Sequence, residues 1–274
     1  MDARPRATRK VELAGAQKTL LIPLYAKALD SRSKNSILKD RKADEIVRSL
    51  DYDFANLEGL GVNNLLVVRA KQFDDWVKEF LRSNPKAVVL NLGCGLDSRV
   101  ARIGPPPGVD WFDVDFPAVI KERRRFFSDG EGYTMVGSSI TQQGWLETIP
   151  RDRPVMAVAD GVLEYVTEDD ARTLFNRLTS CFPSGQIAFD VMSSGAVERG
   201  RSRLKDLTGA EHKWAVDDLR KVDRLDPKLR RVDSLSIFNS ELLSGLPLRH
   251  RLTYKFANLS SGARDMIRLL RYEF

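Results

Sequence analysis

The stretch of sequence that decides the fold is residues 87–117, which read AVVLNLGCGLDSRVARIGPPPGVDWFDVDFP. A short apolar run leads directly into Gly93-Cys94-Gly95, a pattern typical of a buried parallel strand that ends in a glycine turn. Two glycines allow the backbone to turn sharply and to approach a ligand closely. A second predicted strand, residues 109–113, is followed by Asp115. Because a carboxylate at a strand end can accept from both hydroxyls of a ribose, this stretch predicts a nucleotide-binding half-site.

The glycine pair alone supports two interpretations. A dinucleotide-binding fingerprint would have its third glycine at Ser98, and glycine pairs also occur in ordinary turns between a strand and a helix. The acid Asp115 favours a nucleoside ligand over the ordinary turn. The motif does not distinguish S-adenosylmethionine from NAD.

Further apolar segments extend the predicted sheet on both sides of this stretch. Residues 133–136, 154–159 and 186–191 are predicted strands, and residues 249–257 and 266–272 are a predicted closing antiparallel pair. This pattern favours the seven-stranded sheet of methyltransferases over the six-stranded parallel sheet of dehydrogenases.

Several motifs in one order resemble a known family. The segments VVLNLGCGLDSRVARI, WFDVDFPAVIKERRRFF and ADGVLEYVTEDDA are similar to those of the leucine carboxyl methyltransferase superfamily, in particular its tetracenomycin-type polyketide O-methyltransferase branch. TLLIPLYAKA and DYDF, upstream, resemble the same branch. The similarity runs from about residue 19 to residue 190. It implies an α/β fold with a Rossmann-like, seven-stranded S-adenosylmethionine-dependent methyltransferase sheet.

Two regions outside the glycine-loop stretch complete the expected organisation. Residues 1–82 are predicted to form an N-terminal helical cap and a lead-in helix, and residues 83–274 are predicted to form the methyltransferase core. Extra N-terminal helices commonly cover the carboxyl ends of the strands, where the ligand binds. Within the core, residues 193–248 form a long charged excursion after the fifth strand, which is typical of a substrate lid.

The resemblance also implies a set of cofactor-binding residues. Arg69 matches an arginine that binds the methionine carboxylate, and a guanidinium suits that bidentate contact. Asp115 matches the ribose-binding acid, and Asp160 stands near the cofactor amino group, where the family more often has glutamate. The expected cofactor-binding positions are Arg69, Gly93, Cys94, Gly95, Asp115, Ser139, Ile140 and Asp160.

The chemistry of the acceptor remains open at this stage. A carboxylate acceptor is ionised at neutral pH and needs no base, whereas a phenol, with a pKa of about 10, benefits from one. His212 is the candidate base and Trp214 the candidate substrate contact, both within the expected lid. If both serve the substrate, the backbone between them must be extended or turning, because on a helix two such side chains diverge.

Composition narrows the alternatives. The 274 residues contain two cysteines without metal-ligand spacing and two histidines without a His-x-x-x-His pair, so we expect a cytoplasmic enzyme without a metal. The net charge of +6 suggests nucleic-acid binding as an alternative function. The basic runs lack interleaved aromatic residues, however, so we interpret them as solvated faces of helices. No apolar run has membrane-spanning length. The expected partner is a small-molecule acceptor.

Three other functions stay in consideration. Methylation of a protein C-terminal carboxyl, as in the leucine carboxyl branch, ranks below a small acceptor because the chain is short. A cofactor-binding scaffold without turnover is kept open by Asp160 and by Lys27, which replaces an arginine common in the polyketide branch. A dehydrogenase is the third alternative and ranks below the other two.

Overall fold

The structure, a computed structural model, describes residues 9–10, 13, 15–58, 63–239 and 241–274. Within this part of the chain a seven-stranded sheet has the order β3-β2-β1-β4-β5-β7-β6. Its strands are β1 Val88–Leu92, β2 Asp110–Asp115, β3 Tyr133–Gly137, β4 Val155–Ala159, β5 Gly185–Met192, β6 Arg230–Ser236 and β7 Ile267–Glu273. The first five strands are parallel, and β7 pairs antiparallel with both β5 and β6. The expected seven-stranded α/β fold is confirmed.

The centre of the sheet explains the apolar run before the glycine loop. Every residue of β1 is buried, and successive side chains enter different apolar clusters: Val88 and Leu90 on one face, Val89 on the other. A strand covered on both faces needs such a continuous apolar sequence. Strand order reverses at β1, between β2 and β4, and the carboxyl ends of strands at this switch point form the usual ligand crevice of open α/β sheets.

Helices cover both faces of the sheet. They are α1 Leu21–Ser31, α2 Arg41–Ser49, α3 Ala55–Glu58, α4 Asn63–Ser83, α5 Arg99–Ile103, α6 Pro117–Arg123, α7 Glu168–Cys181, α8 Ser194–Thr208, α9 Leu219–Asp223, α10 Leu248–Ala257 and α11 Ser261–Arg264. Short 3-10 turns occupy Gly15–Leu20, Trp145–Thr148, Leu163–Tyr165 and Leu242–Gly245. The predicted lead-in helix is α4. Helix α7 has Thr167 as its N-cap, which forms a capping box with Asp170.

The N-terminal helices pack over the glycine loop. Leu21 and Leu24 of α1 and Ile46 of α2 share one buried cluster with Leu96, which follows the glycine pair directly. Pro23 lies in the first turn of α1, where a missing N–H costs nothing. This position is the one expected of a cap over the ligand. Residues 1–8 of the expected cap lie outside the described part of the chain.

One predicted strand is wrong. Residues 249–257, expected to pair with the last strand, lie in helix α10, and β7 pairs instead with β5 and with the edge strand β6, Arg230–Ser236. Leu252, Tyr254 and Phe256 alternate with polar residues as they would in a strand, but α10 buries none of its residues, so this spacing marks no buried face. The polar sequence RRVDSLS of β6 carried no strand signal because this edge strand buries no residue completely.

The segment 193–248 is therefore more than one excursion. It contains α8, α9 and the sheet strand β6. The residues of this segment that line the cavity belong to α8 and to the stretch that follows it up to Lys213, together with Ile237. Among the described residues, no helix combines the length and the apolar character needed to cross a membrane.

Candidate functional site

A cavity of about 880 Å³ opens at the carboxyl ends of β1, β2 and β4. It is bounded by the glycine loop on one side, by α1 above and by α8 on the other side. Nine of the ten sequence-predicted site residues line it; they are Arg69, Gly93, Cys94, Gly95, Asp115, Ser139, Ile140, Asp160 and His212. The structure does not bring the tenth, Trp214, to this cavity.

The glycine loop needs its glycines for conformation and for space. Gly93 and Gly95 have φ values of +62° and +51°, a region that other residues rarely adopt. A Cβ on Gly93 would lie 2.5 Å from Cγ2 of Val162. Burial raises the pKa of the Cys94 thiol well above its usual value, so this cysteine is a packed small residue and not a nucleophile.

Asp115 is oriented by the backbone of the loop that it faces. Its Oδ2 accepts from the Gly95 N–H at 2.8 Å and its Oδ1 from the Phe116 N–H at 2.7 Å. Each oxygen therefore keeps lone-pair capacity for a further donor. Burial raises the pKa of Asp115 to about 6, despite these two hydrogen bonds. Such a carboxylate suits two ribose hydroxyls.

Arg123 holds the glycine loop from below, a role that the sequence did not indicate. Its side chain is fully buried and forms an ion pair with the equally buried Asp113. Its Nη1 donates to the carbonyl oxygens of Gly95 and Asp97, at 3.0 and 2.7 Å. The guanidinium also lies 4.2 Å from the ring centre of Phe127. Residues from α6 and β2 thus fix the position of the loop.

Arg69 joins the cavity to two buried carboxylates. Its Nε lies 2.6 Å from Oδ1 of Asp160, and its Nη1 donates to Oδ2 of Asp190 at 2.8 Å. Burial alone would lower the pKa of this guanidinium, but the charges of Asp190 and Asp160 outweigh it and raise the pKa. A Cβ on Gly161 would lie 2.5 Å from Nη2 of Arg69, so glycine is required beside it.

Both carboxylate oxygens of Asp160 contact arginine side chains. Its second oxygen accepts from Nη2 of Arg99 at 2.7 Å. Burial raises the pKa of Asp160, but the charges of Arg69, Arg99 and Lys27 prevail and lower it. Asp160 thus stays ionised as a partner of these cations, which limits its capacity to hold a cofactor amino group directly.

A network of charges braces the loop beside Asp160. Asp97 lies 3.4 Å from Arg99, but its closer partners are Arg102 at 2.5 Å and Lys27 at 2.9 Å. Arg99 and Arg102 both contact Asp74 at 2.8 Å. Lys27 therefore supports the loop from α1.

Two more of the expected cofactor-binding residues line the cavity beside the end of β3. Ser139 and Ile140 follow β3, and Oγ of Ser139 lies 2.9 Å from Oγ1 of Thr141. Phe116, which is 46 % exposed, lines the same region and was not predicted.

Among the described residues, no group of three or more histidines, cysteines or acids is placed to hold a metal ion.

One face of α8 lines the opposite wall of the cavity. The residues of this face recur at three- and four-residue steps, as one side of a helix requires; they are Ala196, Arg199, Gly200, Arg203, Leu204 and Leu207. We call them the α8 face. It combines apolar side chains with two arginines one turn apart, which suits an apolar molecule that carries a negative charge.

His212 and Trp214 diverge after α8. The backbone at these residues has no regular secondary structure, and the N–H groups of Lys213 and Trp214 both donate to the Glu164 carbonyl. Trp214 is 8 % exposed and packs in the main apolar core, away from the cavity. His212 lines the cavity with its ring centre 5.3 Å from that of Tyr165.

The imidazole of His212 is a free base near neutral pH. Burial, together with the charge of Arg201, lowers the pKa of His212. Within the described part of the chain, its buried Nδ1 has no hydrogen-bond partner. A neutral imidazole with an unpaired nitrogen in a cavity can accept a proton from a bound molecule.

Glu164 is a site residue that sequence reasoning missed. It lies in the 3-10 turn after β4, lines the cavity and is 6 % exposed. Burial and the charge of Asp190 raise its pKa to about 8. The available signal was its position in ADGVLEYV, five residues beyond a strand that ends at the ligand crevice.

Comparison with known proteins agrees with this geometry. Residues 7–179 match the family described as leucine carboxyl methyltransferase. The tetracenomycin polyketide synthesis O-methyltransferase TcmP of Streptomyces glaucescens is 36 % identical over 96 % of this chain and 98 % of its own. The S-adenosyl-L-methionine-dependent methyltransferase dpfgK of Gibberella zeae is 31 % identical over 81 % of this chain and 82 % of its own.

Solved structures share the fold at low sequence identity. A duf574 family protein from Streptomyces avermitilis aligns over 96 % of this chain and 98 % of its own, with a TM-score of 0.63 and 10 % identity. A methyltransferase candidate from Thermobifida fusca aligns over 92 % of this chain and 93 % of its own, with a TM-score of 0.59 and 13 % identity. With the family match and the relatives above, the chain belongs to the leucine carboxyl methyltransferase family.

Proposed function

We propose that the protein transfers the methyl group of S-adenosylmethionine to a hydroxyl or carboxyl of a small aromatic, polyketide-like acceptor. The chain is an S-adenosylmethionine-dependent O-methyltransferase by its family and relatives; the acceptor and the residue roles are the proposal. One observation carries it: a single cavity joins the glycine loop and Asp115 to the α8 face. Ligand pockets commonly measure about 300–1,000 Å³, and this one is near the upper end, as two ligands side by side require.

The chain offers a cradle that fits the cofactor. Gly93 and Gly95 admit close approach of a ligand to the backbone, and Asp115 has lone pairs for ribose hydroxyls. Ser139 and Ile140 would contact the adenine, and Arg69 would contact the methionine carboxylate. When bound, the cofactor supplies a methyl group activated by a positive sulfur, so the protein must mainly align the acceptor with it.

The acceptor would lie against the α8 face. Leu204 and Leu207 provide apolar surface for a planar ring system. Arg199 and Arg203 provide positive charge for a carboxylate or an acidic phenol, and among the described residues neither has a carboxylate within ion-pair distance. Both arginines remain exposed, so their contribution to affinity is modest and sensitive to salt.

The ribose assignment predicts a loss of cofactor affinity in Asp115→Ala. We expect S-adenosylhomocysteine to bind about 1–3 kcal/mol more weakly, because ribose hydroxyls lose a charged acceptor. In the native protein, affinity should also fall as pH drops through about 6, where Asp115 becomes protonated and loses acceptor capacity. Calorimetric titration measures both effects. Asp110→Ala, at the other end of the same strand, is the matched control, and equal affinities in the two variants would contradict the assignment.

The acceptor class is tested with His212→Ala. Aromatic acceptors with only a carboxyl should be methylated at nearly the native rate at neutral pH, since a carboxylate needs no base. Phenolic acceptors should lose about 10²–10⁴-fold in rate, together with the titration of His212 in the pH–rate profile. The control is His250→Ala, because His250 is the second histidine of the chain and does not line the cavity.

The acceptor assay also tests the competing functions. A peptide with a free C-terminal leucine represents protein carboxyl methylation, and no turnover with any acceptor represents a scaffold. Methylation of the peptide but of no small aromatic acid or phenol would overturn the proposed acceptor class.

A further inference from the structure

The carboxyl groups around Arg69 differ in whether a cation or a hydrogen-bond donor compensates their charge. Asp160 and Asp190 each contact the guanidinium, and Asp190 also accepts from the Gly161 N–H at 2.7 Å. Glu164 is the third carboxyl beside this arginine. Among the described residues, its buried Oε2 has no hydrogen-bond partner. An unpaired carboxylate at this depth is costly unless a cation or a proton accompanies it.

The charges that face Glu164 do not provide that cation. Asp190 on β5 and Asp160 at the end of β4 disfavour its ionised form, and Arg69 on α4 favours it but is already shared between those two acids. Tyr165, the next residue, is neutral near physiological pH because burial raises its pKa. His212 across the cavity is a free base. Glu164 therefore retains a proton at neutral pH in the protein alone.

Glu164 lies between the half of the cavity formed by the glycine loop and Arg69 and the half formed by α8 and the residues that follow it. Its side chain is beside Arg69 on the cofactor side, while its backbone carbonyl accepts from Lys213 at 2.7 Å in the segment that follows α8. The methyl group must cross between these two halves. We propose that Glu164 is the carboxylate that recognises the positive sulfur of S-adenosylmethionine, which S-adenosylhomocysteine lacks.

This inference rests on the cofactor binding proposed above and adds a specificity role to it. A nearby positive charge favours ionised Glu164, so S-adenosylmethionine displaces its proton, whereas the neutral sulfur of the product does not. Ionised Glu164 then binds the substrate form of the cofactor more tightly than the product form. The consequence is weaker product inhibition, in particular at higher pH.

The test is the ratio of two dissociation constants, for S-adenosylhomocysteine over S-adenosylmethionine, measured by calorimetry across pH. Both ligands share the ribose and the carboxylate, so the titration of Asp115 cancels in the ratio. The positive sulfur lowers the pKa of the amino group of S-adenosylmethionine, and this contribution to the ratio is the same in the native protein and in Glu164→Gln. Relative to Glu164→Gln, we expect the ratio of the native protein to rise about tenfold between about pH 6 and about pH 9, the change that one unit of pKa shift produces.

Matched measurements separate the possible failures. Glu168→Gln, which changes an exposed carboxyl four residues further along, should keep the native pH dependence of the ratio. Thermal unfolding of Glu164→Gln checks that the fold is intact. If neither ligand binds the native protein, the proposed function itself fails. If both bind, and Glu164→Gln weakens both equally or shows the same pH dependence of the ratio as the native protein, the role of Glu164 is overturned and the cofactor site stands.

Discussion

Replacement of Arg69 by methionine is expected to lower the free energy of unfolding by about 3–5 kcal/mol, the range found when one partner of a buried ion pair is removed. Asp160 and Asp190 would keep their burial and lose a guanidinium that lies 2.6 and 2.8 Å from their oxygens. Cofactor binding should be lost in the same variant if Arg69 also contacts the methionine carboxylate. Urea unfolding and calorimetric titration measure the two effects.

The loss of stability in Arg69→Met should depend on pH. Burial and the charge of Asp160 already raise the pKa of Asp190, and removal of Arg69 raises it further. A carboxyl whose folded pKa exceeds its unfolded value destabilises most at high pH, so the deficit should shrink as the pH falls toward the unfolded pKa of an aspartate, about 4. Arg48→Met removes an exposed arginine from Asp44, which keeps Arg32 as a second partner, so it should cost less than about 1 kcal/mol. Equal costs in the two variants would contradict the structural role of Arg69.

Replacement of Arg123 by methionine should have a comparable effect on stability and a distinct effect on the glycine loop. Asp113 would remain fully buried without its cation, which again predicts about 3–5 kcal/mol. The carbonyl oxygens of Gly95 and Asp97 would lose their donor. Because these carbonyls fix the loop, S-adenosylhomocysteine should bind more weakly even where the variant is folded.

The neighbouring residue supplies the control for Arg123→Met. Arg124 is exposed and pairs with Asp129 at 3.1 Å, so Arg124→Met should change stability by less than about 1 kcal/mol and leave cofactor affinity unchanged. Hydrogen exchange of the Gly93–Gly95 amides reports the loop directly. Native exchange rates there in Arg123→Met would show that the loop does not depend on Arg123.

The sequence predicted the centre of this molecule because burial on both faces of β1 demands a distinctive pattern. A continuous apolar run that ends in glycines is typical of a central parallel strand at a ligand crevice, and Asp115 at the next strand end followed from the same topology. Local rules also located the lead-in helix α4. These features depend on neighbours within a few residues of the chain.

The errors of prediction lie where burial is slight. Strand β6 buries no residue completely and α10 buries none, so neither has the periodicity that distinguishes strand from helix. Trp214 suggested a ligand contact because aromatic residues serve both binding and packing; the fold places it in the core.

Ion pairs between residues far apart in the chain could not be predicted from the sequence, for a different reason. Arg69 and Asp190 are 121 positions apart, and their contact depends on how α4 packs against β5. Arg123 appeared as one of several basic residues in KERRRFF, and its burial became visible only with Asp113 beside it. Glu164 stands out only once its neighbours are known to be acids and its oxygen is known to be unpaired.

Calorimetric titration of the native protein with S-adenosylmethionine, S-adenosylhomocysteine and NAD tests the central claim most directly. The claim is that the cavity between the glycine loop and α8 binds the methyl donor. It predicts one site for each sulfur-containing ligand with a dissociation constant in the micromolar range, and no measurable binding of NAD. Binding of NAD with comparable affinity, or no binding of S-adenosylhomocysteine, would contradict it.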